Sequence, residues 1–187
     1  MSVFPRSWLV VLTAVVVLAA GVCPARADEK LVEPPKKVEK ILGAPVVKLL
    51  QGCTKVETFR IDAVVSIERG KEYIGGYKIV GHGKDEGKDY AVRLTNVLFA
   101  ETTYYGDSAK CFEPGVAFRV WCDKEWVDVV ICFKCTNLAI FDGKGREIAE
   151  AHGGFGGTAS EAALIKLAKE AFPDDKVIQA LKEEKKK

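Results

Sequence analysis

VAFRVWCDKEWVDVVICFKC, residues 116–135, alternates apolar and polar positions in two runs separated by a short charged break. Side chains alternate across a strand. Val116, Phe118, Val120 and Cys122 therefore share one side of the first run, and Arg119, Trp121 and Asp123 the other. In the second run Val127, Val129, Ile131 and Phe133 fall together. A two-residue turn at Lys124-Glu125 pairs position 122 with 127, 120 with 129, 118 with 131 and 116 with 133. Every pair is apolar on both sides, which is how a half-buried hairpin declares its register. An antiparallel sheet is thus the expected centre of the fold.

Working outward, Val38, Ile41, Leu42, Val46, Leu49 and Leu50 recur at helical spacing, with Pro45 as a kink and Gly52 as a stop. Residues 56–68 and 73–80 read as a strand pair turning at Gly70. Tyr90, Leu94, Val97 and Leu98 mark a helix over roughly 89–102. Beyond the central hairpin, 138–141 and 146–151 read as strands around Asp142-Gly143-Lys144-Gly145. Thr158 with Glu161 then opens a capped helix that Pro173 stops, and a last short helix is expected in 174–187. The predicted fold class is α+β: a single domain with an antiparallel sheet of about 5–6 strands packed with 3 helices. Strand, His-Gly, loop and helix recur at His82-Gly83 and His152-Gly153, an echo that fits two ββα-like halves.

The first 27 residues read as a signal peptide, with Arg6, an apolar run from Trp8 to Val22, and Ala25-Arg26-Ala27 for cleavage. The run is short for a membrane span, and no later one matches it, so no mature transmembrane segment is expected. An exported, periplasmic or secreted chain follows. A lipid- or signal-anchored form is the minor alternative, weakened because Val22 precedes Cys23 where a small residue is needed. Residues 28–36, with Glu33-Pro34-Pro35, read as a linker, and 37–187 as the domain. Cleavage removes two of the 28 basic residues and none of the 26 acidic ones, leaving zero net charge. That excludes the basic footprint of nucleic-acid binding.

Five cysteines remain: Cys53, Cys111, Cys122, Cys132 and Cys135. Export favours pairing, and an odd number leaves at least one unpaired. The predicted register puts Cys122 about 17 Å from Cys132, too far for a disulfide, so Cys122 reads as a small core residue. Cys111, Cys132 and Cys135 converge at the other end, and Cys53 can approach either. Three readings compete. Cys111 can pair with Cys135 or Cys132 and pin a loop to the sheet. The three thiols can hold zinc with His82 or His152 as fourth ligand. Or Cys132 and Cys135 can exchange thiol for disulfide, although a strand setting lacks the helix N-terminus that activates such dithiols. Gly153–Gly157 reads as a turn rather than an anion cradle, and no serine triad or phosphate loop is present.

Arg119, Trp121, Trp126 and Asp128 share the outer face of the hairpin and form the binding-surface candidate, unless a helix covers them. Cys111-Phe112-Glu113-Pro114 and Val127–Cys135 resemble a poorly characterised family of small, mostly exported bacterial proteins with C-F-x-P before a strand pair and C-F-x-C near its end. The resemblance spans roughly 55–172. It implies a bacterial, exported, single-domain protein and supplies no catalytic residues. The expected function is a non-enzymatic structural or binding module for an unidentified protein or small-molecule partner, without cofactor. The alternative is an envelope zinc-binding or thiol–disulfide redox protein.

Overall fold

A computed structural model describes residues 29–68, 70–150 and 153–182. The predicted signal peptide and His152 lie outside these residues. The elements in chain order are α1 (Lys36–Leu42), α2 (Ala44–Gln51), β1 (Lys55–Val65), β2 (Tyr73–Ile74) and β3 (Tyr77–His82). There follow α3 (Lys88–Phe99), β4 (Val116–Cys122), β5 (Glu125–Cys132), β6 (Asn137–Asp142), β7 (Glu147–Glu150), α4 (Ala159–Ala171) and α5 (Lys176–Gln179). The α+β class holds, with a curled antiparallel sheet of seven strands in the order β2-β3-β1-β4-β5-β6-β7.

The extra elements come from glycines. Gly43, at φ +78°, breaks the predicted first helix, and Pro45 sits in the first turn of its second half, where a missing N–H costs nothing. Gly75 and Gly76, at φ +57° and +89°, split the predicted 73–80 strand into β2 and β3. Two consecutive positive-φ residues are what a tight two-residue hairpin demands. Residues 29–35, predicted as a linker, lie against α3: the Val32 N–H donates to Asn96 Oδ1 at 2.9 Å, and Leu31 packs on the core. α3 and α4, the helices that follow the two echoed segments, pack together, with Tyr90 donating to the Leu167 carbonyl at 2.9 Å.

The central hairpin forms with its predicted faces but a different register. The turn is at Asp123-Lys124, and Val120 pairs with Val127, Phe118 with Val129, and Val116 with Ile131. A slip of two residues preserves every inward side chain, so the apolar face alone does not choose. The outer face does: this register sets Arg119 opposite Asp128 and Trp121 opposite Trp126, where the predicted one would oppose Arg119 to Val130. Asp123 takes the turn's φ of +51°, which Asp tolerates better than most residues.

One sheet face, with Val116, Phe118, Val120, Val127, Val129 and Ile131, packs under the helices as the main core. The other face carries a smaller cluster of Phe59, Ile61, Ile74, Tyr77, Ala117, Val130, Ala139 and Phe141. The curl brings the β2–β3 turn across this face until Gly75 rests on the Phe141 ring. A Cβ on Gly75 would stand 2.7 Å from that ring. Gly75→Ala combines this clash with a strained φ, and is expected to cost about 1–3 kcal/mol. Urea denaturation measures it; an unchanged midpoint would show that the curl does not depend on this contact.

Candidate functional site

The Gly75–Phe141 contact divides the concave face into two clefts. One holds the tryptophans, the other the cysteine cluster.

At the tryptophan end, Arg119 donates to both Asp128 oxygens, from Nε to Oδ1 at 2.7 Å and from Nη2 to Oδ2 at 3.0 Å. The guanidinium lies over the rings of Phe59 and Trp126, 5.5 and 5.2 Å from their centroids. Trp121 and Trp126 pack at 4.8 Å with planes 43° apart. Glu57 on β1 completes a charged row, as the cross-strand partner of Arg119. Each indole Nε1 is buried and lies near a carboxylate, Trp121 by Glu57 and Trp126 by Asp128, without reaching hydrogen-bond geometry. Burial pushes the Asp128 carboxyl above its usual range, against the opposing pull of Arg119. Burial acts on Glu57 in the same sense, but Lys55 and Trp121 outweigh it and hold that carboxyl below its range. Among the described residues no helix lines this patch. Tyr73, Gly75 and Gly76 stand on one side and Gly143 to Gly145 on the other, enclosing about 530 Å³, with Lys71 and Lys144 on the lining.

At the cysteine end, β5 stops at Cys132, and Phe133–Thr136 form a turn rather than more strand. The predicted strand setting of Cys132-x-x-Cys135 is thereby corrected. Thr136 adopts φ +50°, while Phe133 leaves the sheet to meet Phe155 edge-on at 6.2 Å. The turn is tied on both flanks: the Ala109 N–H donates to the Cys135 carbonyl at 3.0 Å, and the Phe155 N–H to that of Thr136 at 2.8 Å. Gly154 and Gly156 fit there because a Cβ on either would strike Thr136 or Asp107. The glycine run is a strap for this turn.

Cys111, Cys132 and Cys135 do come together, strung through Cys135. The Cys135 N–H donates to Cys132 Sγ at 3.1 Å, and the Cys111 and Cys135 thiols lie close enough to interact. Cys132 and Cys135 are fully buried; Cys111 is half-buried. The Cys135 contact pushes the Cys111 thiol up, and burial pushes up that of Cys135. Both therefore rest protonated near neutral pH, the opposite of an activated nucleophile. Lys134, the nearby cation, is paired with Glu113 at 2.7 Å. Cys111 lines a cleft of about 460 Å³ with Tyr77, Phe112, Asn137, Phe141 and Glu147.

The remaining candidates lie elsewhere. His82 ends β3, exposed, against Phe59 at 5.1 Å. β1 and β4 stand between it and β5, about 14 Å at ordinary strand spacing, so it cannot complete a zinc set with these thiols. Among the described residues no group of three or more His, Cys, Asp or Glu side chains is arranged to hold a metal. Cys53 goes to the opposite end, buried against Thr95 Oγ1 at 3.4 Å and beside Cys122. A shallower depression of about 660 Å³ on the helix face, between α2 and β5–β7, has mainly Leu42, Pro45, Val46 and Leu49 as its apolar wall. No helix among the described residues is long and apolar enough to cross a membrane. Neither a family model, nor a curated protein, nor a solved structure matches this chain.

Tyr73 and Phe141 line the clefts and Glu57 stands beside Arg119, but none is visible as such in the sequence, since β1, β2 and β6 meet there only through the curl. The pair at the floor is testable. Arg119→Met leaves the Asp128 charge buried and alone, and is expected to cost about 3–5 kcal/mol; Arg119→Met with Asp128→Leu is expected to cost much less. Urea denaturation of the three proteins decides, and equal losses in the single and double variants would contradict it. The raised native pKa of Asp128 also means that its contribution is fully present below the ordinary Asp range and is lost as pH rises through the raised value. Asp128→Asn should remove that part of the stability profile.

Proposed function

We propose that this is an exported, non-enzymatic binding module whose concave sheet face receives a protein or small-molecule partner. In this reading a Cys111–Cys135 disulfide fixes the loop that walls one of its clefts. The observation that carries it is the tie between the 107–115 loop and the β5–β6 turn, the Ala109 N–H on the Cys135 carbonyl at 3.0 Å, which brings the Cys111 and Cys135 thiols near each other. Further support comes from the leader-like first 27 residues, from protonated rather than activated thiols, and from the likeness of both cysteine segments to exported bacterial proteins. A bond here closes a loop of about 25 residues and would add roughly 2–4 kcal/mol.

A second reading, thiol–disulfide exchange at Cys132 and Cys135, is favoured by the Cys135 N–H on Cys132 Sγ, because an amide donor stabilises a thiolate. Full burial of Cys132 weighs against it. Zinc bound by Cys111, Cys132 and Cys135 would need a fourth ligand other than His82.

Trypsin separates all five of these cysteines, which makes the test direct. After oxidation with glutathione disulfide and alkylation, peptide 111–119 should be found joined to peptide 135–144, two hydrogens lighter than their sum. Recovery of both as alkylated monomers would reject the clamp. Rapid labelling of Cys132 at mildly acidic pH would shift the balance to exchange, and stoichiometric zinc in protein purified without chelator would shift it to the metal.

A further inference from the structure

Cys122 and Cys53 remain unexplained by that site. The register predicted from sequence separates Cys122 from the cysteine cluster, and the structure agrees, but it also gives Cys122 a different neighbour. Lys55 is the partner of Trp121 across the β1–β4 pair. The preceding Thr54 N–H turns to the same Trp121 carbonyl at 2.9 Å. Lys55 and the residue before it thus both address Trp121, as in a bulge, and the next residue back, Cys53, is brought towards Cys122. Residues abreast in an antiparallel pair have Cα atoms about 4.5–5.5 Å apart, inside the span that a disulfide bridges.

The side chains also point the right way. Cys122 shares the helix side of the sheet with Val120 and Phe118, and Cys53 faces Thr95 on α3. The Cys122 sulfur lies on the main chain just before Cys53, 2.6 Å from where a Cβ on Gly52 would stand. Only glycine at 52 lets the sulfur rest there. The two thiols are unbonded in the structure and close enough to interact.

We infer that Cys53 and Cys122 are a second oxidisable pair, a cross-link site that ties the end of α2 to the tip of the β4–β5 hairpin. The oxidant is a small-molecule disulfide. The half-buried Cys122 thiolate attacks it, forming a mixed disulfide and releasing one thiolate. Cys53 then attacks Cys122 sulfur and releases the second. The protein thiols lose two protons and two electrons, and the reagent becomes two thiols. With Cys111–Cys135 this accounts for four of the five cysteines and leaves Cys132, fully buried, as the odd thiol.

The two cross-links lie in different tryptic peptides, so either can fail alone. The full chain is treated with glutathione disulfide, alkylated and digested without reductant. Peptide 49–55 joined to peptide 120–124 is the expected product. Both peptides alkylated, Cys122 left as a glutathione adduct, or Cys122 joined to another cysteine would each overturn the inference. Cys122→Ser supplies a second readout. Its Tm should fall roughly 5–15 °C below that of the parent when both are oxidised, and the two should match when both are in reductant. Equal Tm values for the oxidised parent and oxidised Cys122→Ser would also overturn it.

Discussion

The bidentate pair between Arg119 and Asp128 settles the position of everything downstream of β4. Both charges are largely withdrawn from water, so each tolerates its burial only opposite the other. The apolar side of the β4–β5 hairpin is indifferent to a shift of two residues, because Val, Phe and Ile recur at every second position. The polar side is not indifferent. It has one cation, one buried anion and two indoles, and one alignment pairs all four. Such a pair adds little net energy compared with well-packed apolar substitutes, yet it rejects the competing register strongly.

That alignment carries consequences along β5. With Cys122 opposite Glu125 and Ile131 opposite Val116, the strand reaches its end at Cys132, level with the loop that contains Cys111. The next residues have no partner on β4 and turn back, which brings Cys135 beneath that loop. A hairpin slipped by two would move the turn relative to Cys111 by two residues, or about 7 Å, and the sulfur contact would be lost. The ion pair at one end of the sheet and the thiols at the other are therefore consequences of one register, though no bond connects them.

Much of this was legible in the residues, and the failures share a cause. Strand and helix faces follow from periodicity, so Phe118, Val129 and Leu164 were readable as core. That Cys111 lies at the same end of the sheet as Cys132 and Cys135, with Cys122 at the other end, survives the two-residue error, although the close approach of Cys111 to Cys135 does not. What periodicity could not supply is where a strand stops. Phe133 continues the alternation of β5 but leaves the sheet for Phe155, a residue 22 positions away. Gly75 and Gly76 carry a turn signal inside Tyr73 to Val80, a stretch whose apolar and aromatic content otherwise reads as one strand. The position of Cys53 depends on a bulge at Thr54, and the roof over the tryptophans depends on sheet curl. Neither leaves a periodic trace.

Of the three tryptophans, Trp8 belongs to the leader-like segment, and Trp121 and Trp126 face each other on one concave surface. A chain lacking its first 27 residues would thus emit its indole fluorescence from a single place. The protein carries its own optical probe: wavelength and quenching in such a chain would report on the floor of one cleft, undiluted by any signal from the rest of the molecule.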